Sequence, residues 1–127
     1  MKKLTIKTRA KQAMLDITER VDRAIRELGI TDGICTVFVP HTTAAITINE
    51  NADPSVKEDI LDSLARLAPQ GPHYQHAEGN AHAHIRASVI GHSVQVMVEG
   101  GKLVLGTWQG IFFCEFDGPR EREVWVR

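Results

Sequence analysis

A chain of 127 residues can build one hydrophobic core and is too short for two typical domains, so residues 1–127 are read as a single domain. Its 43% hydrophobic and 24% charged residues are those of an ordinary soluble globular protein. A formal net charge of −1 gives no general pull toward nucleic acid or an anionic membrane, which favours a small ligand over a polyanion.

The N-terminal stretch "MKKLTIKTRAKQ" has the basic start of a signal peptide. Charges recur every two or three residues where an apolar centre should follow, and no later run approaches the ~20 apolar residues that cross a bilayer. "KLTIKT" alternates apolar and polar residues and predicts an opening strand, with "AMLDI" a second. From Thr18 to Gly29 the period changes: Ile17, Val21, Ala24, Ile25 and Leu28 form one apolar stripe, and Gly29 is placed to end a helix. "GICTVFVP" is a dense β-branched and aromatic run that reads as a buried strand broken by Pro40, after which "TTAAITIN" resumes in extended form.

A second helix is marked by Asp53 as its cap and Pro54 at its first position, with Val56, Ile60, Leu64 and Leu67 on one side before Pro69 ends it. Residues 69–81, rich in proline, glycine, asparagine and histidine, read as an irregular surface loop. "SVQVMVE", "KLVLGT", "GIFFCEF" and "REVWVR" then predict four strands, the first two joined at Gly100-Gly101 by a tight primed turn. Two main helices, seven or eight strands and no βαβ alternation predict an α+β domain with a mainly antiparallel β-sandwich. Its sheet edges need protection, and oligomerisation is one way to supply it. Cys35 and Cys114 sit far apart in apolar stretches, which predicts two buried reduced thiols and a cytoplasmic protein.

Five of the six histidines fall in "PHYQHAEGNAHAHIRASVIGH". His82 and His84 are two apart, so on a strand they share a face and can bind one ion; His73 and His76 offer a weaker loop spacing. Three readings stay open on spacing alone: a solvated loop, a pair of metal ligands completed by a distant third, and a metal-free acid–base site. Upstream, His41, Thr42, Thr43, Asn49, Glu50, Asn51 and Asp53 gather short polar groups before a helix N-terminus, a position suited to phosphate or carboxylate. Asp53 as the cap would satisfy those donors itself. Downstream, Trp108-Gln109 sets a flat ring beside an amide, and Arg120 in "DGPRER" can reach an anion or pair with Asp117 or Glu121. No glycine-rich nucleotide cradle and no serine-nucleophile elbow is present.

The blocks "HTTAAITINENADPSV", "YQHAEGNAHAHIRAS" and "GTWQGIFFCEFDGPRER" resemble, in order and spacing, the signature blocks of the YjbQ-type family, small proteins often labelled secondary thiamine-phosphate synthases. The resemblance runs over nearly the whole chain and implies a β-sandwich assembled as a homotrimer. It implies an enzyme joining hydroxymethylpyrimidine diphosphate to thiazole phosphate with release of diphosphate, as a weak or side activity. It further implies His41, His76 and His84 as metal ligands, and Glu50, Asp53, Trp108, Gln109 and Arg120 as active-site residues. Trp108 would stack on a ring, Arg120 would meet a phosphate, and Glu50 or Asp53 would help hold magnesium. Three imidazoles suit zinc or another transition metal better than magnesium, so the alternatives are a metal-dependent hydrolase of a small phosphorylated or cyclic substrate, or a non-catalytic trimeric ligand-binding module.

Overall fold

In the computed structural model, which describes residues 1–127, the chain runs β1 (Lys2–Lys7), β2 (Ala13–Asp16), α1 (Thr18–Glu27), β3 (Gly33–Phe38), β4 (Ala44–Glu50), α2 (Pro54–Leu67), α3 (Ala81–Ile90), β5 (Ser93–Glu99), β6 (Lys102–Leu103), β7 (Gln109–Glu115) and β8 (Glu121–Val126). The strands form two antiparallel sheets, one ordered β1-β8-β3-β5-β6 and the other β2-β7-β4. The α+β class and the antiparallel sandwich-like packing of two sheets are as the sequence implies.

The core lies in two layers. The larger cluster fills the space between the sheets and under α1, with Val21 and Ile25 from the helix, Cys35 and Val37 from β3, and Val124 and Val126 from β8. The smaller one, with Met14, Leu64, Ala83, Ala87 and Phe116, lies between the three-stranded sheet and the α2–α3 pair. β7 divides them. Ile111 and Phe113 point into the first cluster, while Phe112 and Cys114 point into the second. A strand covered on both faces has no solvent side to mark with polar residues, which is why "GIFFCEF" reads as a continuous apolar run.

Local signals placed most elements well. Asp53 Oδ1 accepts from the Ser55 backbone N–H at 2.9 Å and caps α2, with Pro54 as the first helical residue. Gly100 and Gly101 both take positive φ (57° and 77°), the requirement of the primed turn that joins β5 to β6. β6 is only two residues long, so most of "KLVLGT" is not strand. Leu67, expected on the buried stripe of α2, is instead 64% exposed.

The main departure is α3, a third helix over a segment expected to open as loop and continue toward a strand. Its buried face consists of His82, Ala83, Arg86 and Ala87. An apolar period cannot show where the inward side chains are small or polar. The available signal was propensity: three alanines in "NAHAHIRASVIG", no β-branched residue in the first four positions, and Gly91 as a stop.

Candidate functional site

The site begins where β3 leaves its sheet. Continuing the register Phe38↔Trp125 would set Pro40 opposite Glu123, but the chain turns away there. His41 fills the gap: its Nε2 accepts the Glu123 backbone N–H at 2.9 Å. That lone pair is therefore committed, and in the neutral ring the proton sits on Nδ1. Burial lowers the His41 pKa, and the nearby Arg122 guanidinium lowers it further. His41 is held as a neutral side chain with one N–H to offer.

Two adjoining clefts share Pro40, His41, Thr42 and His84 as a common waist. One, of about 520 Å³, is walled by Phe38, Val39, Ala44 and Ala87. The other, of about 330 Å³, has no hydrophobic lining and is walled by Thr43, Glu78, Asn80, Arg120 and Arg122. His84 reaches the waist from the first turn of α3, whose N-terminus begins beside the polar half. Asn80 makes no side-chain cap there, and no acidic residue lies in the first turn.

Beneath the polar half, Glu115 at the end of β7 and Asp117 just beyond it face Arg122 of β8 and Arg120 just before it. Glu115, fully buried, accepts from Arg122 Nε at 2.9 Å and from Arg122 Nη2, and also from the Thr8 hydroxyl at 2.7 Å. Arg122 Nη2 additionally reaches Thr43 Oγ1 at 2.8 Å, which ties the pair to the segment carrying His41. Burial alone would raise the Glu115 pKa, yet hydrogen bonds from Arg122 and Thr8 bring it below the usual range. Asp117 Oδ2 accepts from Arg120 Nη2 at 2.7 Å, and the Asp117 carbonyl accepts from Arg120 Nε at 2.8 Å. Against the opposing effect of burial, Asn80, Lys11 and Arg120 hold the Asp117 pKa at about 2. Both arginines spend Nε and Nη2 on these anchors, which leaves each Nη1 edge without a partner in the chain.

The residues singled out by resemblance divide into two groups. His41, His84 and Arg120 line the cleft, and His76 lies beside it, its ring centroid 5.1 Å from that of His84. The other four sit at the far end of the three-stranded sheet. Glu50 pairs in register with Gln109 at the opposite end of β4 from His41, about 20 Å along the strand. Gln109 Oε1 accepts from the Gly106 N–H at 2.8 Å, Trp108 is 62% exposed, and Asp53 is occupied in capping α2. Within one chain these four do not meet the histidines.

Sequence reasoning named Asp117 only as a partner for Arg120, which it is, and missed Glu115, Arg122 and the place of Asn80 in the cleft. The two members of the buried pair did leave a trace. Glu115 falls in phase with Ile111 and Phe113, and Arg122 in phase with Val124 and Val126, so each is a charge at an inward position of an apolar alternation.

The implied metal set does not fit one chain. No group of three or more His, Cys, Asp or Glu side chains is placed to hold an ion, and the His41 Nε2 lone pair is already in use. Cys35 and Cys114 are free and buried, their thiols pushed up to about 11 and about 12 by burial, so neither is a poised nucleophile.

Comparison with known proteins finds a match to the family described as UPF0047 protein YjbQ-like over residues 2–127. A UPF0047 protein of Methanocaldococcus jannaschii is 53% identical over 98% of this chain and 91% of its own length. The UPF0047 protein YugU of Bacillus subtilis is 50% identical over 100% and 97%. Among solved structures, an uncharacterized conserved protein of the YjbQ/UPF0047 family from Clostridium acetobutylicum superposes with a TM-score of 0.97 at 54% identity, covering 100% of this chain and 98% of that one. A YbjQ-like protein of unknown function from Sulfolobus solfataricus gives 0.93 at 39% identity, covering 98% and 92%. These findings correct the functional expectation. The family is one of uncharacterized function, and none of these relatives carries thiamine-phosphate synthase activity or metal dependence in its description. The synthase reading and the metal-dependent hydrolase offered beside it do not stand as the activity of this chain.

Proposed function

The chain belongs to the UPF0047 protein YjbQ-like family, and from that premise we propose that its cleft binds a small phosphorylated molecule bearing an apolar group. The observation that carries this is the pair of guanidinium edges. Arg120 and Arg122 are each held from behind by a carboxylate and line a cleft with no apolar wall on that side. Charge-assisted bonds from guanidinium to a phosphate oxygen are among the stronger polar contacts available. The uncapped start of α3 and the Nδ1–H of neutral His41 add donors of the same sense. The apolar body then lies along Phe38, Val39 and Ala87. His84, at the waist, faces the junction between the two parts, where an imidazole can give or take a proton.

The probe is phenyl phosphate, which has both parts, set against inorganic phosphate, which has one. By calorimetry, phenyl phosphate binds the untagged protein more tightly, and Arg120→Ala weakens it by about tenfold or more. Absence of binding by both probes rejects the reading.

Assembly and metal are proposed at the same level. Ile34 and Met97 stand exposed at 61% and 63% on the outer face of the five-stranded sheet, with Val104 beside them, and a homotrimer is one way to cover them. Light scattering at three times the chain mass of 14.1 kDa supports it. A divalent ion, zinc or another transition metal, would need donors beyond the His76–His84 pair of one chain. Elemental analysis of untagged protein reads this directly. No helix is long and apolar enough to cross a membrane, and the two buried free thiols support a reducing cytoplasm.

A further inference from the structure

Asp117 touches neither half of the cleft, yet it fastens two residues that do. One oxygen, Oδ2, accepts from Arg120 Nη2 at 2.7 Å and from Asn80 Nδ2 at 2.9 Å, and the other accepts from Lys11 Nζ at 3.0 Å. Its carbonyl takes Arg120 Nε at 2.8 Å, so both bonded nitrogens of that guanidinium are fixed by one residue. Asn80 is the residue on which α3 begins: its carbonyl accepts the N–H of Ala83 at 3.0 Å and of His84 at 3.4 Å. Fixing the Asn80 side chain therefore fixes the first turn of the helix that carries His84. The amide must present its NH₂ to Asp117, since the reverse orientation would set its oxygen against a carboxylate. The carboxylate itself is only 8% exposed, and its setting is rigid. Gly118, the next residue, sits so close to Ala10 that an added Cβ would lie 2.2 Å from the Ala10 carbonyl oxygen.

We propose that Asp117 is the positioning residue for anion recognition, setting Arg120 and the start of α3 in one geometry from behind the wall of the cleft. This rests on the phosphate-binding reading above. It makes a prediction of unusual sign. A carboxylate near an anion site repels the ligand, so neutralising it should tighten binding if charge alone mattered. A positioning carboxylate does the opposite, because the loosened guanidinium must be ordered again when the ligand arrives.

The experiment measures phenyl phosphate binding to the untagged full chain by calorimetry, with circular dichroism as the check on folding. Asp117→Asn is expected to weaken binding by about tenfold, although it removes a negative charge. Asp117→Glu keeps the charge, misplaces it, and is expected to weaken binding as well, so the assignment remains testable if the first variant fails to fold. Lys11→Met, which strips a different partner from the same carboxylate, is expected to stay within about twofold. Tighter or unchanged binding in Asp117→Asn overturns the positioning role while leaving the phosphate site intact. A wild-type protein that binds neither phenyl phosphate nor inorganic phosphate overturns the site itself, and the role of Asp117 with it.

Discussion

At the scale of single residues, the interior charges decide most. Glu115 and Arg122 are both buried and satisfy one another, with Thr8 and Thr43 completing the set. Removing one partner strands the other in a medium that solvates it poorly. Glu115→Ala is expected to cost about 3–5 kcal/mol of stability, read from urea unfolding, far more than loss of a surface pair would. Protonation makes a second case. Burial lowers the pKa of both His41 and His82, with Arg122 adding to the effect on the first and Arg86 on the second. Their folded-state values lie below the unfolded value near 6.5, so between the two the unfolded chain binds more protons. The stability these neutral rings contribute is present above about pH 6.5 and is lost as pH falls through their folded values. Urea midpoints should therefore drop from about pH 7 to about pH 5, and His82→Leu should flatten that slope; an unaltered slope assigns the acid sensitivity elsewhere.

At the scale of elements, what was legible depended on whether a segment's inward face was apolar. α1 shows its stripe because Val21, Ala24 and Ile25 all point into the core, and α2 announces itself by Asp53-Pro54. α3 hides because its inward face holds His82 and Arg86. The His82-x-His84 spacing, read as one face of a strand, puts the two on different sides once the segment is helical: His82 is buried and His84 opens to the cleft. Arg86 shows what the polar inward face is for. It has no carboxylate partner; Nε donates to the Ala68 carbonyl at 3.0 Å and Nη1 to Gln12 Oε1 at 3.0 Å. Ala68 is the C-cap of α2, so the cation sits at the negative end of that helix. Arg86→Lys keeps the charge but offers no planar fork to reach both acceptors, and a loss of about 1–3 kcal/mol is expected. Hydrogen exchange should accelerate first in the last turn of α2; uniform acceleration would count against the capping role.

At the scale of the whole molecule, the candidate residues separate by the length of a strand. The sequence blocks are each contiguous, so nothing in their order shows that β4 and β7 run antiparallel and carry the start of one block to the end of the other. That pairing brings His41 to Arg120 and Glu50 to Gln109, at opposite ends of the sheet. Half of the expected site was thus readable from residue types, and the division of it was not. The two core layers share β7, so they should fail together: Phe113→Ala, aimed at the layer between the sheets, is expected to cost about 3–5 kcal/mol. Loss of signal from Trp125 and of helical circular dichroism should coincide, and separate transitions would show the layers to be independent. The segment from Glu115 to Arg122 has a different consequence. It is the corner at which the chain leaves one sheet and enters the other, and the same few residues anchor the guanidiniums of the cleft. On the proposed phosphate reading, evolution therefore has little room to vary the grip on the anion without weakening the joint between the sheets. In the apolar half, Val39, Ala44 and Ala87 belong to the core, but Phe38, Ser88 and His92 lie outside both core clusters and are under no such constraint. On that same reading, descendants of this fold should diversify their ligands from these positions, changing what is attached to the phosphate sooner than the phosphate itself.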